Sequence, residues 1–146
     1  MTPASRASLV IDASAMVALL TDAGPGGEWA TVQANGARLA APSLMPYEVA
    51  NILRRQVLTG TLDASVASLA HTDLAAMAID LCPYNALAER AWMLRDNLTI
   101  YDAAYVALAE MLGIPLITLD ARLARAFGPR CSIVAYGEFT ASLGRT

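Results

Sequence analysis

The stretch NLTIYDAAYVALAEMLGIPLITLDARLA, residues 97 to 124, reads as a buried helix followed by a buried strand. Alanine, leucine and valine dominate 102 to 112, and the helix must stop at Gly113, because glycine suits the left-handed position after a helix and Pro115 cannot continue one. PLITL, 115 to 119, is a short apolar run without polar alternation, the pattern of a strand covered on both faces in a parallel sheet. Against this background the chain sets Asp102 at the head of the helix and Asp120 just beyond the strand.

The same alternation extends outward in both directions. Apolar runs recur at SLVI (8 to 11), RLAAP (38 to 42), AIDLC (78 to 82) and CSIVAY (131 to 136). Helix-period segments lie at 13 to 20, 28 to 35, 46 to 58, 63 to 76, 86 to 95, 102 to 112 and 121 to 127. Repeated βα units of this kind predict a three-layer α/β/α fold with a central parallel sheet of about five strands. In the 63 to 76 helix, Val66, Leu69, Ala70 and Met77 share one face, which is expected to meet the core. The loop TDAGPGG (21 to 27) reads as punctuation and matches neither GxGxxG nor a P-loop.

Composition narrows the class. The 146 residues, 56% of them hydrophobic, suit one domain over 1 to 146 with a substantial core. No more than nine consecutive residues pass without Asp, Glu, Lys or Arg, whereas a membrane span needs roughly 20 apolar residues. The N-terminal apolar run is too short for a secretory segment, so a cytoplasmic protein is expected. Cys82 and Cys131 lack metal-ligand spacing and read as buried, reduced thiols. The net charge of −3 lacks a basic footprint, and all ten basic residues are arginine. Arginine suits bidentate phosphate contacts, although an alanine-rich, lysine-free chain equally reflects genome composition.

The acids carry the chemistry. In an open parallel sheet, ligands bind beyond the carboxyl ends of the strands. Asp12 ends the first strand in LVIDAS and Asp120 the fourth in LITLDA; Glu48 lies in the first turn after the second strand, in APSLMPYEVANILRR. Each acid has a local explanation. Asp12 and Asp120 suit N-caps, Asp102 the third helical position of a capping box with Thr99, and Glu48 the positive end of its helix; Asp63 suits a cap as well. Taken jointly, Asp12, Asp120 and Glu48 reach one edge, and Asp102 joins them if its helix begins there. Paired carboxylates ~4 Å apart repel by about 4 kcal/mol at an effective dielectric of 20, so such a cluster needs a cation. An all-oxygen donor set without histidine or thiolate selects Mg²⁺, with Mn²⁺ able to substitute. The lone His71, on a polar step of its helix, is expected at the surface. A carboxylate-held magnesium ion suits phosphodiester hydrolysis.

LVIDASAMVALL, YEVANILRR and LRDNLTIYDAAYVALAEMLGIPLITLDARLA, in this order, resemble the PIN-domain ribonucleases, and most closely the VapC-type toxins of bacterial toxin–antitoxin pairs. The likeness spans nearly the whole chain, and its last segment is the most specific. It implies that Asp12, Glu48, Asp102 and Asp120 form the acidic quartet that holds magnesium. It further implies that Ser14 and Thr118 are hydroxyls that orient a carboxylate or water, although Thr118 reads equally as an ordinary β-branched strand residue. The implied activity is a magnesium-dependent endoribonuclease of a type II toxin–antitoxin system, acting on structured RNA of the tRNA or rRNA class. The implied partners are a second copy, in a homodimer, and a VapB-like antitoxin occupying the acidic groove. Met45, Val49, Leu53 and the Val66 face are apolar helical surface that could serve a dimer, but such residues are more often core, so the dimer rests mainly on the resemblance. Arg54, Arg55, Arg95 and Arg122 lie near the acids in sequence. Arg95 and Arg122 are the candidate RNA-phosphate contacts, with intramolecular pairing or solvated helix faces as the other reading.

Competing families fit less well. Receiver domains and haloacid-dehalogenase-like phosphatases also set aspartate at strand ends, but both use a lysine, and this chain has none; the phosphatase pattern also wants a second Asp where Ser14 stands. A catalytically silent PIN-like scaffold for RNA or protein would have lost one or more acids, and all four are retained. A housekeeping PIN-related nuclease remains the other alternative, and the DNA-flap enzymes of that kind carry extra acids and helices for which 146 residues leave little room.

Overall fold

In the computed structural model, which describes residues 6 to 137, the five apolar runs form one sheet. The strands are β1 (Ser8–Ile11), β2 (Arg38–Pro42), β3 (Ile79–Cys82), β4 (Leu116–Thr118) and β5 (Ile133–Ala135). All four pairings are parallel, in the order β3-β2-β1-β4-β5. The uninterrupted apolar runs mark the centre, where Val10, Ile11, Leu116, Ile117 and Thr118 are wholly buried. β3 is an edge strand, and its exposed Asp80 meets Arg38 at 3.5 Å. The chain steps from β1 outward to β3, then returns across β1 to β4. The direction of connection therefore reverses between β1 and β4, which is a topological switch point.

The helices are α1 (Ala13–Thr21), α2 (Pro25–Ala34), α3 (Met45–Leu58), α4 (Ala64–Ala76), α5 (Tyr84–Met93), α6 (Ile100–Leu112) and the single turn α7 (Ala121–Ala124). Asp63 caps α4 by accepting from the Ser65 amide at 2.8 Å. Gly113 ends α6 in the left-handed conformation, at φ 65°. Three helices, α2, α5 and α6, begin two or three residues earlier than the sequence pattern predicts. α2 starts at Pro25 because proline suits the first helical position and because the Asp22 carboxylate accepts from the Gly24 and Gly27 amides, at 2.7 and 3.2 Å. The last part of TDAGPGG is thus helix. Gly27 is required there, since a Cβ would lie 1.8 Å from the Asp22 carbonyl oxygen.

Two further expectations are corrected. α4 meets the core through Ala67, Ala70 and Leu74, with Met77 packed against it; Ala70 and Met77 are as expected, but Val66 and Leu69 are 42% and 63% exposed. The small alanines let this helix approach closely, which rotates the bulkier side chains outward. Met45, Val49 and Leu53 are core residues of α3, the more common place for such side chains. Cys82 and Cys131 are free thiols but only partly buried. His71 is exposed, as its polar position predicts. Among the described residues, no helix is long and apolar enough to cross a membrane.

One ion pair fastens α5, α6 and the segment before β5. Arg90 Nε and Nη2 donate to both Glu110 oxygens, at 2.6 and 3.0 Å, and Nη2 also donates to the Gly128 carbonyl at 2.9 Å. The Arg130 amide donates to Glu110 Oε1 at 2.6 Å. Arg90 in particular holds the Glu110 carboxyl below its usual pKa. Glu110→Gln should therefore cost about 2 kcal/mol at neutral pH, the range for charge-assisted hydrogen bonds, in chemical denaturation. Because the folded carboxyl is the more acidic, this stability is present above the usual glutamate pKa and is lost as pH falls through the depressed one. Parent and variant should converge in acid.

Candidate active site

The acidic pocket is built from the switch point outward. Ile11 pairs with Ile117, so the residues that follow them, Asp12 and Thr118, emerge side by side at the carboxyl edge. Asp12 leaves the sheet with an extended backbone and caps α1, its Oδ1 accepting from the Ala15 amide at 2.9 Å and from Ser14 Oγ at 2.7 Å. The Thr118 hydroxyl donates to the other oxygen, Oδ2. Thr118 Oγ1 in turn accepts from the Asp120 amide at 2.9 Å, and Ser14 Oγ accepts from the Leu119 amide at 3.0 Å. Ser14 and Thr118 are thus the hydroxyls that orient Asp12, and Thr118 is more than a β-branched strand residue. Burial pushes the Asp12 carboxyl above its usual pKa, against the pull of Thr118, Ala15 and Ser14, and Asp102 adds repulsion.

Glu48 stands in the first turn of α3, and its Oε1 accepts from the Tyr105 hydroxyl at 2.7 Å. Burial raises its pKa, Tyr105 lowers it, and Asp102 and Asp12 raise it again. Tyr105 is buried and its own pKa is driven far up, first by burial and then by Glu48, so it remains a hydrogen-bond donor. The sequence does not single out Tyr105 as functional. The available signal is its spacing of three from Asp102, which puts both on one face of α6.

Asp102 lies inside the first turn of α6, where the Thr99 cap hydroxyl accepts from its amide at 3.2 Å. Burial and then Asp120 raise its pKa, while Thr99 and Arg122 lower it. Asp120 caps α7 by accepting from the Arg122 amide at 3.0 Å. The Arg122 guanidinium also grips it, Nε to Oδ1 at 3.2 Å and Nη2 to Oδ2 at 3.3 Å. This pair leaves Asp120, alone of the four, below the usual carboxylate range.

The fields of the four acids overlap: Asp102 acts on Asp12 and Glu48, and Asp120 acts on Asp102. Even so, no three potential ligands among the described residues converge closely enough to hold an ion as they stand. Thr118, Tyr105 and Arg122 each engage one carboxylate. The donor set still fits a hard divalent cation. It is entirely oxygen, and three of its carboxyls are held against ionisation by burial and by one another, which added positive charge reverses. Of the basic residues, Arg122 sits in the pocket rim. Arg95 folds back onto its own loop, its guanidinium 4.7 Å from the Trp92 ring centroid and Nη1 donating to the Trp92 carbonyl at 2.8 Å. Arg54 and Arg55 are exposed on α3, roughly 10 Å along the axis from Glu48.

A family model described as the PIN domain matches residues 9 to 128, from β1 through the turn after α7. The chain belongs to the PIN-domain family. Within it, Ribonuclease VapC9 of Mycobacterium tuberculosis is 37% identical over 125 residues, covering 86% of this chain and 95% of that protein. Two solved structures share the fold. VapC20 of Mycobacterium tuberculosis, described as a Sarcin-Ricin loop cleaving toxin, superposes with a TM-score of 0.62 at 15% identity, covering 80% of this chain and 93% of that one. VapBC2 from Rickettsia felis, bound to a DNA fragment from its promoter, gives 0.62 at 11% identity, covering 88% and 98%. In this PIN domain, then, the parallel sheet and its switch point belong to a VapC-type chain.

The raised Asp102 carboxyl has a consequence for stability. A folded-state pKa above the unfolded one means that the ionised form costs stability at neutral pH, a cost that fades as pH falls through the raised value. Asp102→Asn should stabilise the protein by roughly 1 kcal/mol at pH 7 in chelator-containing buffer, as substitutions that relieve a strained site commonly do. Thermal denaturation should show this gain shrinking towards acid, where the parent aspartate is already neutral.

Proposed function

We propose that this chain is a Mg²⁺-dependent endoribonuclease, the toxin of a type II toxin–antitoxin pair, which hydrolyses phosphodiester bonds in structured RNA of the tRNA or rRNA class. The single observation that supports the reading is a PIN fold in which Asp12, Glu48, Asp102 and Asp120 lie near enough, around the switch point, for their charges to act on one another. The ribonuclease name of VapC9 supports the activity, and the Sarcin-Ricin loop cleavage ascribed to VapC20 supports an RNA of the ribosomal class. Asp12, Glu48, Asp102 and Asp120 hold the ion, Mg²⁺ with Mn²⁺ as substitute. When bound, the metal supplies the positive charge that stabilises the phosphate in the transition state and makes water a better nucleophile.

The chain's own residues prepare that site. Ser14, Thr118 and the Ala15 amide fix the orientation of Asp12, and Tyr105 fixes Glu48 while keeping its own proton. Arg122, and Arg95 once turned from Trp92, contact RNA phosphates at the rim and offset the repulsion of the acids. The partner is a VapB-like antitoxin, a reading supported by the VapBC2 structure. A homodimer acting in the cytoplasm, each chain a single nuclease domain, completes the proposal.

Protein freed of antitoxin should cleave RNA with Mg²⁺ and stop on addition of chelator. Asp12→Asn and Asp102→Asn should each lower the rate at least about a hundredfold, the usual cost of removing one preorganised electrostatic group. Full cleavage by a folded Asp102→Asn variant would overturn the metal assignment. A parent inert towards RNA, with or without Mg²⁺, would favour the silent scaffold.

A further inference from the structure

Two aromatic side chains that the core does not use stand next to acids in the chain. Tyr47 is 80% exposed and Tyr101 is 62% exposed. Each immediately precedes an acid, Glu48 in one case and Asp102 in the other, in the first turn of a long helix. Neither hydroxyl has a hydrogen-bond partner among the described residues, in contrast to Tyr105.

The Tyr105–Glu48 hydrogen bond ties together the two helices that carry these rings. It joins the first turn of α3 to α6 at 2.7 Å. Tyr101 lies one turn before Tyr105 on the same face of α6, towards the solvent end. Tyr47 adjoins Glu48 itself. Tyr101 thus lies one helical turn from this bridge on α6, and Tyr47 is the chain neighbour of Glu48 on α3, so each helix that supplies an acid to the bridge region also carries one exposed ring.

A polyanion faces a difficulty at this place. The chain carries a net charge of −3, four carboxylates surround the pocket, and the guanidinium of Arg122 is engaged by Asp120. Phosphate attraction alone is a poor source of grip beside such a cluster. An aromatic face avoids the conflict, because stacking on a nucleobase draws on apolar area and dispersion, and every base offers a π-face. We infer that Tyr47 and Tyr101 are stacking surfaces for unpaired bases flanking the bond that is cut, holding the RNA over the acids. The inference rests on the ribonuclease reading above. It gives the pocket rim a preference for unstacked bases and little preference for base identity.

The test separates the two readings. In an Asp12→Asn background, which binds without cutting, the anisotropy of a labelled, unpaired oligoribonucleotide reports affinity. Tyr47→Ala and Tyr101→Ala should each weaken binding about tenfold, with Tyr→Phe at either position within about twofold of the parent. Removing a base at the nucleotide that a tyrosine stacks on should shrink that tyrosine's alanine effect to within about twofold, a coupling that a purely structural role does not produce. Both residues are exposed, so the thermal midpoint should hold. Alanine variants that bind like the parent overturn the inference, as do phenylalanine variants as weak as alanine. A loss of binding that accompanies a change in oligomeric mass by light scattering also overturns it, since the rings then belong between copies of the chain. Cleavage by the parent leaves the ribonuclease reading standing in each of these cases. A parent that neither binds nor cuts RNA removes both.

Discussion

The hydrogen-bonded knot of Asp12, Ser14 and Thr118 is the constraint on which the rest of the pocket depends. It lies where the sheet changes direction, so it fastens the strand that opens the fold to the strand that follows the longest return of the chain. A carboxylate buried without partners would cost several kcal/mol, and here two hydroxyls and one amide compensate it. The same threonine hydroxyl receives the Asp120 amide, and the serine hydroxyl receives the Leu119 amide. Two small side chains therefore set the path of the backbone from β4 into α7, and with it the position of a second acid.

Around that knot the protein keeps like charges close without letting them touch. Three of the acids are steadied by different neighbours: a threonine for Asp12, a tyrosine for Glu48, an arginine for Asp120. Their ionisation is graded as a result, with Asp120 most readily charged and the other three restrained. A site poised in this way is sensitive to any nearby cation.

Much of this was legible in the sequence. The continuous apolar runs reported a parallel sheet, because strands covered on both faces have no reason to alternate, and the caps at Asp12, Asp63, Thr99 and Asp120 are local chemistry that spacing reveals. The order of strands was not legible, since it depends on which helices cover which face. On α4 the sequence shows Ala70 on the core face, but hydrophobicity adds Val66 and Leu69 to it, whereas close approach selects Ala67 and Leu74. The role of Tyr105 is not legible because an aromatic in an apolar helix looks like core, and its body is core; only its hydroxyl reaches Glu48. The posture of Arg95 likewise depends on the ring of Trp92, three residues away.

The helix at the centre of the opening stretch has one more consequence. Residues 103 to 109 of α6 are all buried, and four of those seven are alanine. Alanine gives up no rotamer freedom when it is enclosed, so this rod is fixed at little entropic cost, while close walls on every side deny it room to slide or tilt. Asp102 rides on the end of that rod. The rod's stiffness is passed to a carboxylate that stands outside it, and the reach of one acid towards the others is set by packing density several residues away.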